Sequence, residues 1–369
     1  MTERLSALLH EEADVLHVPP PTTDRIVAAG RGLRRRRRLT YGAAGLALTG
    51  LLGTGIGLAV SGDDEATNVI DDPGQSTALH GATFTIGVTA FLDGGAVTAT
   101  IDDKAVKSSY YTSAGLLVRH GNNNASDGGG PQRFSLVTPN GTVKKVSVVT
   151  EETVPGVDPA QPYLAYTVVE DGVVQVVVHD VSTDEQVAKI AVPDVTEWGG
   201  WPGPPVALSG DIVYVGGDDA VRTVDWRTGE VGQTDTIGPG YPDVHGGRAV
   251  IQEGGSSLVI DVLTGERLYS VEDRYPMLSP DGRFASVPAE DYESFDVVDL
   301  ATGSSMHFEG GMFEYGWTPE GDLTRLVDGH VETCALGTGD CTTADRTIPS
   351  DGGGVAPDDV RFAGQTYES

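Results

Sequence analysis

Basic side chains are scarce over most of this chain. Residues 39–369 carry 16 Lys plus Arg against 49 Asp plus Glu, part of an overall net charge of −30. A surface of that sign repels phosphate backbones, which excludes nucleic acid as a partner of the large domain. Cysteine is nearly absent, with only Cys334 and Cys341, and neither has a neighbouring His pair with zinc-ligand spacing. The eight histidines are scattered at positions 10, 17, 80, 120, 179, 245, 307 and 330 and read as loop or strand-end residues. The chain lacks a His-Glu-x-x-His pair, a Gly-x-Ser-x-Gly elbow and a phosphate-binding loop. No catalytic, cofactor-binding or metal residue is assigned from sequence.

What is abundant points to strands. Fifty Gly, 21 Pro, many Val and Thr and frequent turn dipeptides favour an all-β domain of short strands. The N-terminal region is different. Residues 1–38 contain eight Arg and five acidic residues, and Arg34, Arg35, Arg36, Arg37 and Arg38 form an unbroken basic run. The 22 residues that follow, Leu39 to Val60, are free of charge. As a helix they would extend roughly 33 Å, enough to cross a bilayer core. The five arginines predict a cytoplasmic N-terminus and an extracytoplasmic C-terminal domain. The competing expectation is an export signal cleaved near Ser61, which would release the domain.

The expected organisation is therefore a cytoplasmic tail (1–38), a transmembrane helix (39–60), an acidic linker (61–80) and an extracytoplasmic domain (81–369). In the tail, Leu5, Leu8, Leu9, Ala13 and Leu16 fall at helical spacing until Pro19, Pro20 and Pro21 interrupt them. This tail resembles those of actinobacterial membrane proteins, some associated with extracytoplasmic-function sigma factors. The resemblance implies a possible cytoplasmic protein partner. The absence of Cys excludes the zinc-binding form of anti-sigma domain.

Beyond residue 80 the chain repeats a strand–turn–strand unit. Its marker is Asp-x-x-Thr-Gly at Asp225–Gly229, Asp261–Gly265 and Asp299–Gly303, with degenerate forms ending at Asp184 and at Gly339. The Asp carboxylate can accept turn amides and the Gly takes positive φ. With earlier turns at Gly95 and Gly141 the spacing is 36 to 46 residues, the length of a four-stranded propeller blade. Seven blades fit, with six as the alternative. A second marker, Ser279-Pro280-Asp281-Gly282 and Thr318-Pro319-Glu320-Gly321, is placed at the start of the innermost strands. Residues 356–363 repeat it without a blade to follow, so Thr83 to Ile101 are expected to supply the missing strands and close the ring.

Val213-Tyr214-Val215-Gly216-Gly217, followed by Val224-Asp225-Trp226-Arg227-Thr228-Gly229-Glu230, resembles propellers of the TolB-like, YVTN-repeat and quinoprotein-like groups. The resemblance spans about residues 110–345 and implies a fold rather than a function. Quinoprotein repeats place Trp four residues after the Gly, where this chain has Gln233, Tyr269, His307 and Thr343, so no quinone cofactor is expected.

Cys334 and Cys341 flank the last hairpin, and a two-residue turn at Gly337 and Thr338 would set them opposite each other. A disulfide is expected there, contributing about 2 kcal/mol; free thiols or a metal pair are the alternatives. Asn122, Asn123, Asn124 and Asp127 offer calcium-type oxygens in the Gly121–Gly130 loop, against the reading of a polar excursion. Trp198 and Trp201 are the candidate binding surface, against the alternative that they pack on the next blade. The functional expectation is a non-enzymatic binding or scaffolding propeller at the membrane, with an unknown envelope protein or ligand. The alternatives are a sigma-factor regulator acting through residues 1–38 and a propeller enzyme. Carboxylates, His and Arg converging at a channel mouth would favour the enzyme, and an apolar channel the binder.

Overall fold

The spaced Asp-x-x-Thr-Gly turns act as the sequence predicts. In each of the three full copies the backbone amides two and three residues on donate to the Asp carboxylate. At Asp225 the donors are Arg227 and Thr228 (both 3.0 Å), at Asp261 Leu263 and Thr264, and at Asp299 Ala301 and Thr302. The Gly then donates its amide to the Asp carbonyl. In the degenerate copy Asp184 takes the Gly position with φ +60°, a conformation that Asp tolerates better than most residues.

The computed structural model describes residues 78–125, 128–195, 198, 201–348 and 360–365. Contacts divide the chain into Met1–Ile70 and Asp71–Ser369, and the described residues all belong to the second unit. The predicted tail, the transmembrane helix and most of the linker lie outside them. Among the described residues no helix is long and apolar enough to cross a membrane.

The domain is a seven-bladed β-propeller of four-stranded antiparallel sheets. Blades 1 to 6 span 105–150, 156–192, 206–234, 244–272, 277–309 and 315–347. All seven predicted turns fall between the third and the outer strand of a blade. Blade 7 takes its innermost strand, Val360–Phe362, from the C-terminus and the other three, Phe84–Ile86, Thr89–Leu92 and Val97–Thr100, from the start of the domain. Phe84 pairs with Phe91 on one side and Phe362 on the other, which closes the ring as expected. The second marker needs a correction. Ser279–Gly282 and Thr318–Gly321 follow the innermost strands Met277–Leu278 and Tyr315–Trp317 and turn the chain into the second strand.

Burial is greatest on the flat faces between blades, because each sheet can cover its apolar side only with its neighbour. Every blade–blade junction carries its own apolar cluster, such as Val174, Val176 and Val178 of blade 2 against Val213, Val215 and Trp226 of blade 3. The junction of blades 4 and 5 is the exception in form, with two small clusters, one around Val259 and Ala285 and one around Val287 and Val298. Outer strands such as Glu185–Val192 and Cys341–Thr347 are mostly exposed, the first interrupted by a charged Lys and the second mostly polar. Such strands resist pairing with a second chain.

Cys334 and Cys341 form a disulfide, directly opposed on the third and outer strands of blade 6 with their Cα atoms 4.0 Å apart. The connecting turn is longer than the sequence reading had it. Ala335 pairs with Asp340, and Gly339 at φ +79° donates to the Ala335 carbonyl, so four residues make the bend.

Candidate binding site at the channel mouth

The innermost strands surround a central channel, and the C-terminal segment enters it. Gly364 donates to the Ser109 carbonyl of blade 1. A Cβ at Gly364 would lie 2.4 Å from the Pro280 ring, so only glycine fits. Gln365 donates its amide to the Tyr315 carbonyl of blade 6. Tyr111 of blade 1 reaches past blade 7 to donate to the Trp317 carbonyl at 2.7 Å. This plug leaves a small cavity of about 170 Å³ on the side of the Ser279–Gly282 turn and a larger one, about 640 Å³, on the opposite face.

The larger cavity is built by loops of blades 4, 5 and 6 that precede the innermost strands. They bring Tyr241, Tyr275 and Phe313 to its wall, and the hairpin between the second and third strands of blade 5 adds Tyr292. All four rings are exposed, Phe313 at 65 % and Tyr292 at 63 %. Tyr292 has φ +60°; the other described non-glycine residues with positive φ are all Asp. Holding a tyrosine there costs on the order of 1–3 kcal/mol, a penalty that clusters at functional sites. Met277, Leu278, Pro288, Met312 and Leu323 make most of the remaining wall apolar.

Ser286 and Gln365 are uncharged polar members of this wall, and its acid–base groups besides the tyrosines are one pair. Asp243 and His245 are joined at 2.8 Å, Nε2 to carboxylate. Burial works against the imidazolium, but the hydrogen bond and charge of Asp243, with the Pro280 carbonyl and Asp281, outweigh it and raise His245 above its ordinary value. Burial, reinforced by the Asp243 charge, pushes the Tyr275 hydroxyl up to about 12. No Lys or Arg lines the cavity among the described residues.

The residues singled out from sequence lie elsewhere. Trp198 packs against the core between blades 2 and 3, its indole N–H donates to the Trp201 carbonyl, and both residues are half-buried. Arg34 to Arg38 lie outside the described residues, as does Asp127. In the Gly-rich loop one of the residues that suggested calcium, Asn123, meets an internal cation instead: the buried Lys107 ammonium donates to Asn123 Oδ1 and to the Ala125 and Gly128 carbonyls. Glu152 accepts from the Gly128 and Gly130 amides and holds the loop down. Glu332 lies beside Cys334 and Cys341, but both sulfurs are consumed by the disulfide.

His120 and His179 lie one residue from the ends of their strands, as the sequence reading expects, but both are buried and each is bonded to an Asp; His307 departs from that reading, standing mid-strand in Ser305–Glu309. His120 Nδ1 lies 2.6 Å from Asp103, and its Nε2 lies 3.0 Å from Ser135 Oγ. That is the order of a nucleophilic triad, but Ser135 is only 2 % exposed, so no substrate carbonyl reaches it. Arg133 donates two further bonds to Asp103 at 2.7 and 2.9 Å. Burial opposes the charge of Asp103, yet Arg133 and His120 hold its carboxyl far below the usual carboxylate range. The group is a buried polar tie across blade 1.

The fold and this site define the class: a seven-bladed propeller with an aromatic-rimmed cavity at one end of its channel. No protein-family model matches the sequence, and no curated protein does. Solved structures resemble it distantly. Hydrazine synthase from Kuenenia stuttgartiensis shares 18 % identity over 63 % of this chain and 76 % of that one, at a TM-score of 0.39. Apo AztD from Citrobacter koseri shares 11 % over 77 % and 99 %, at 0.44, and TolB from Acinetobacter baumannii 11 % over 76 % and 65 %, at 0.36.

Proposed function

We propose that this chain is a non-enzymatic binding module whose ligand face is the channel mouth of blades 4 to 6. The observation that carries this reading is the set of four exposed rings, drawn from four separate loops, around one cavity. Exposed aromatics in a concave, mostly apolar site suit ligand contact. A catalytic mouth would gather several carboxylates, His and Arg, whereas this wall holds a single Asp–His pair and no Arg. A photocrosslinking residue placed at Phe313 in living cells tests the reading, with one at Leu263, exposed on the opposite face, as its control. Adducts from Phe313 and none from Leu263 are expected. Equal adducts, or none from either, would remove the assignment.

The propeller is further proposed to stand outside the cytoplasm, tethered by residues 39–60 with Arg34 to Arg38 on the inner side. Two features support this: the charge-free run behind a basic cluster, and a disulfide of the kind that persists in oxidising compartments. Detection of a mature N-terminus near Ser61 would replace the tether with secretion. Residues 1–38 would then supply no inward contact to a cytoplasmic partner, sigma factor or otherwise.

A further inference from the structure

The geometry points to an organic cation, an ammonium or guanidinium head group, as the ligand of the channel-mouth cavity, held by Asp243 between the rings of Tyr241, Tyr275, Tyr292 and Phe313. The inference rests on the binding-face reading and names the chemistry of the ligand. Asp243 is the one lining residue with a carboxylate, and no basic side chain except His245 stands among the residues that form the wall. The rest of the lining, aromatic, Met, Leu and Pro side chains with the uncharged Ser286 and Gln365, offers an anion no fixed positive charge. It lowers the local dielectric around a single negative charge.

The faces of phenol and benzene rings carry negative potential, so four of them beside a carboxylate favour a positive group without requiring it to form many hydrogen bonds. The domain already uses this contact. The Arg325 guanidinium lies 4.8 Å from the Tyr315 ring centroid, and Arg227 lies 4.1 Å from the Trp226 centroid. The surrounding surface adds steering, since the 39–369 region carries far more acidic than basic residues.

His245 sets the pH dependence. It faces Asp243 from its own loop, and Pro280 with Asp281 from the turn of blade 5, while the Tyr275 hydroxyl lies within the field of Asp243. Protonated, it is a resident cation that neutralises Asp243 and repels another. Affinity for an external cation therefore rises as pH increases through the titration of His245.

Calorimetric titration of the purified full-length protein provides the test. The probes are choline, its uncharged isostere 3,3-dimethylbutan-1-ol, and trilysine, which separates a free organic cation from a peptide-borne one. Choline, trilysine or both are expected to bind at least about tenfold more tightly than the isostere. They should bind more tightly at pH 8.5 than at pH 5.5, and at least about tenfold more weakly to Asp243→Asn. If Asp243→Asn does not fold, the double variant Tyr292→Ala with Phe313→Ala, both exposed positions, must weaken binding roughly fivefold or more. Binding of the isostere equal to that of the cations, no binding of either cation, or cation binding indifferent to these substitutions would overturn the proposal. Crosslinking from Phe313 that persists in that case would leave the binding face standing and remove only the cation.

Discussion

Lys107 shows how one side chain decides what a loop can be. The Gly121–Gly130 segment offers oxygens at calcium-like density, and the ammonium takes three of them from within. Two consequences follow for the loop. Calcium or a chelator should leave the melting temperature of the native protein unchanged, and a shift of several degrees with either would contradict the internal-cation reading. Lys107→Met should strand those oxygens and cost about 2–4 kcal/mol in denaturant unfolding, since each unsatisfied buried group costs about 1–3 kcal/mol. Asp103 carries a pH signature at the same scale. Its carboxyl titrates lower in the folded protein than in the unfolded chain, so its stabilisation is complete above the ordinary carboxylate value and declines as pH falls below about 4. Asp103→Asn should lower stability at pH 7 and flatten the loss between pH 4 and pH 2. An unchanged acid limb in that variant would show that the tie contributes nothing.

At the scale of strands and turns, the outer hairpins were legible and the mouth was not. The Asp-x-x-Thr-Gly turns carry their own local chemistry, an acceptor and a positive-φ glycine at fixed spacing, so the blade repeat could be read, and its number narrowed to six or seven, without knowing any tertiary contact. The four mouth aromatics share no motif, because their loops differ in length and their association depends on the ring. A faint positional signal did exist: Tyr241, Tyr275 and Phe313 each stand two or three residues before an innermost strand in consecutive blades. The tryptophan pair drew attention because Trp-rich, Pro-rich loops are conspicuous in sequence, whereas the structure spends Trp198 on the core between blades 2 and 3. The disulfide was readable because its cysteines are the only two and flank one hairpin; only the turn length was misjudged. Reduction should cost about 2 kcal/mol, and hydrogen exchange should quicken in Cys341–Thr347 while the inner strands stay protected. Faster exchange throughout the domain on reduction would mean that the bridge supports more than its own hairpin.

For the whole molecule, stability depends on closure by a three-residue strand. Gly316 of blade 6 lies against Phe362, where an added Cβ would come within 2.4 Å of the phenyl side chain. Gly316→Val should therefore push Val360–Phe362 away, opening blade 7 and releasing the Gly364–Gln365 plug. A loss of about 3 kcal/mol and a fall of roughly 5–10 °C in melting temperature are expected. A variant that melts like the native protein would argue against closure through the C-terminus. The plug joins this closure to the proposed function, because Gly364 and Gln365 line the same cavity as the aromatic ring. Hydroxyl-radical footprinting, comparing the purified protein with the same protein in living cells, tests the central claim most directly. Tyr241, Tyr275, Tyr292 and Phe313 should be oxidised when pure and protected in cells, while Leu263, Val149 and Val187 are oxidised equally in both. Equal oxidation of the four rings in the two settings would contradict the claim that the channel mouth is occupied in its native surroundings.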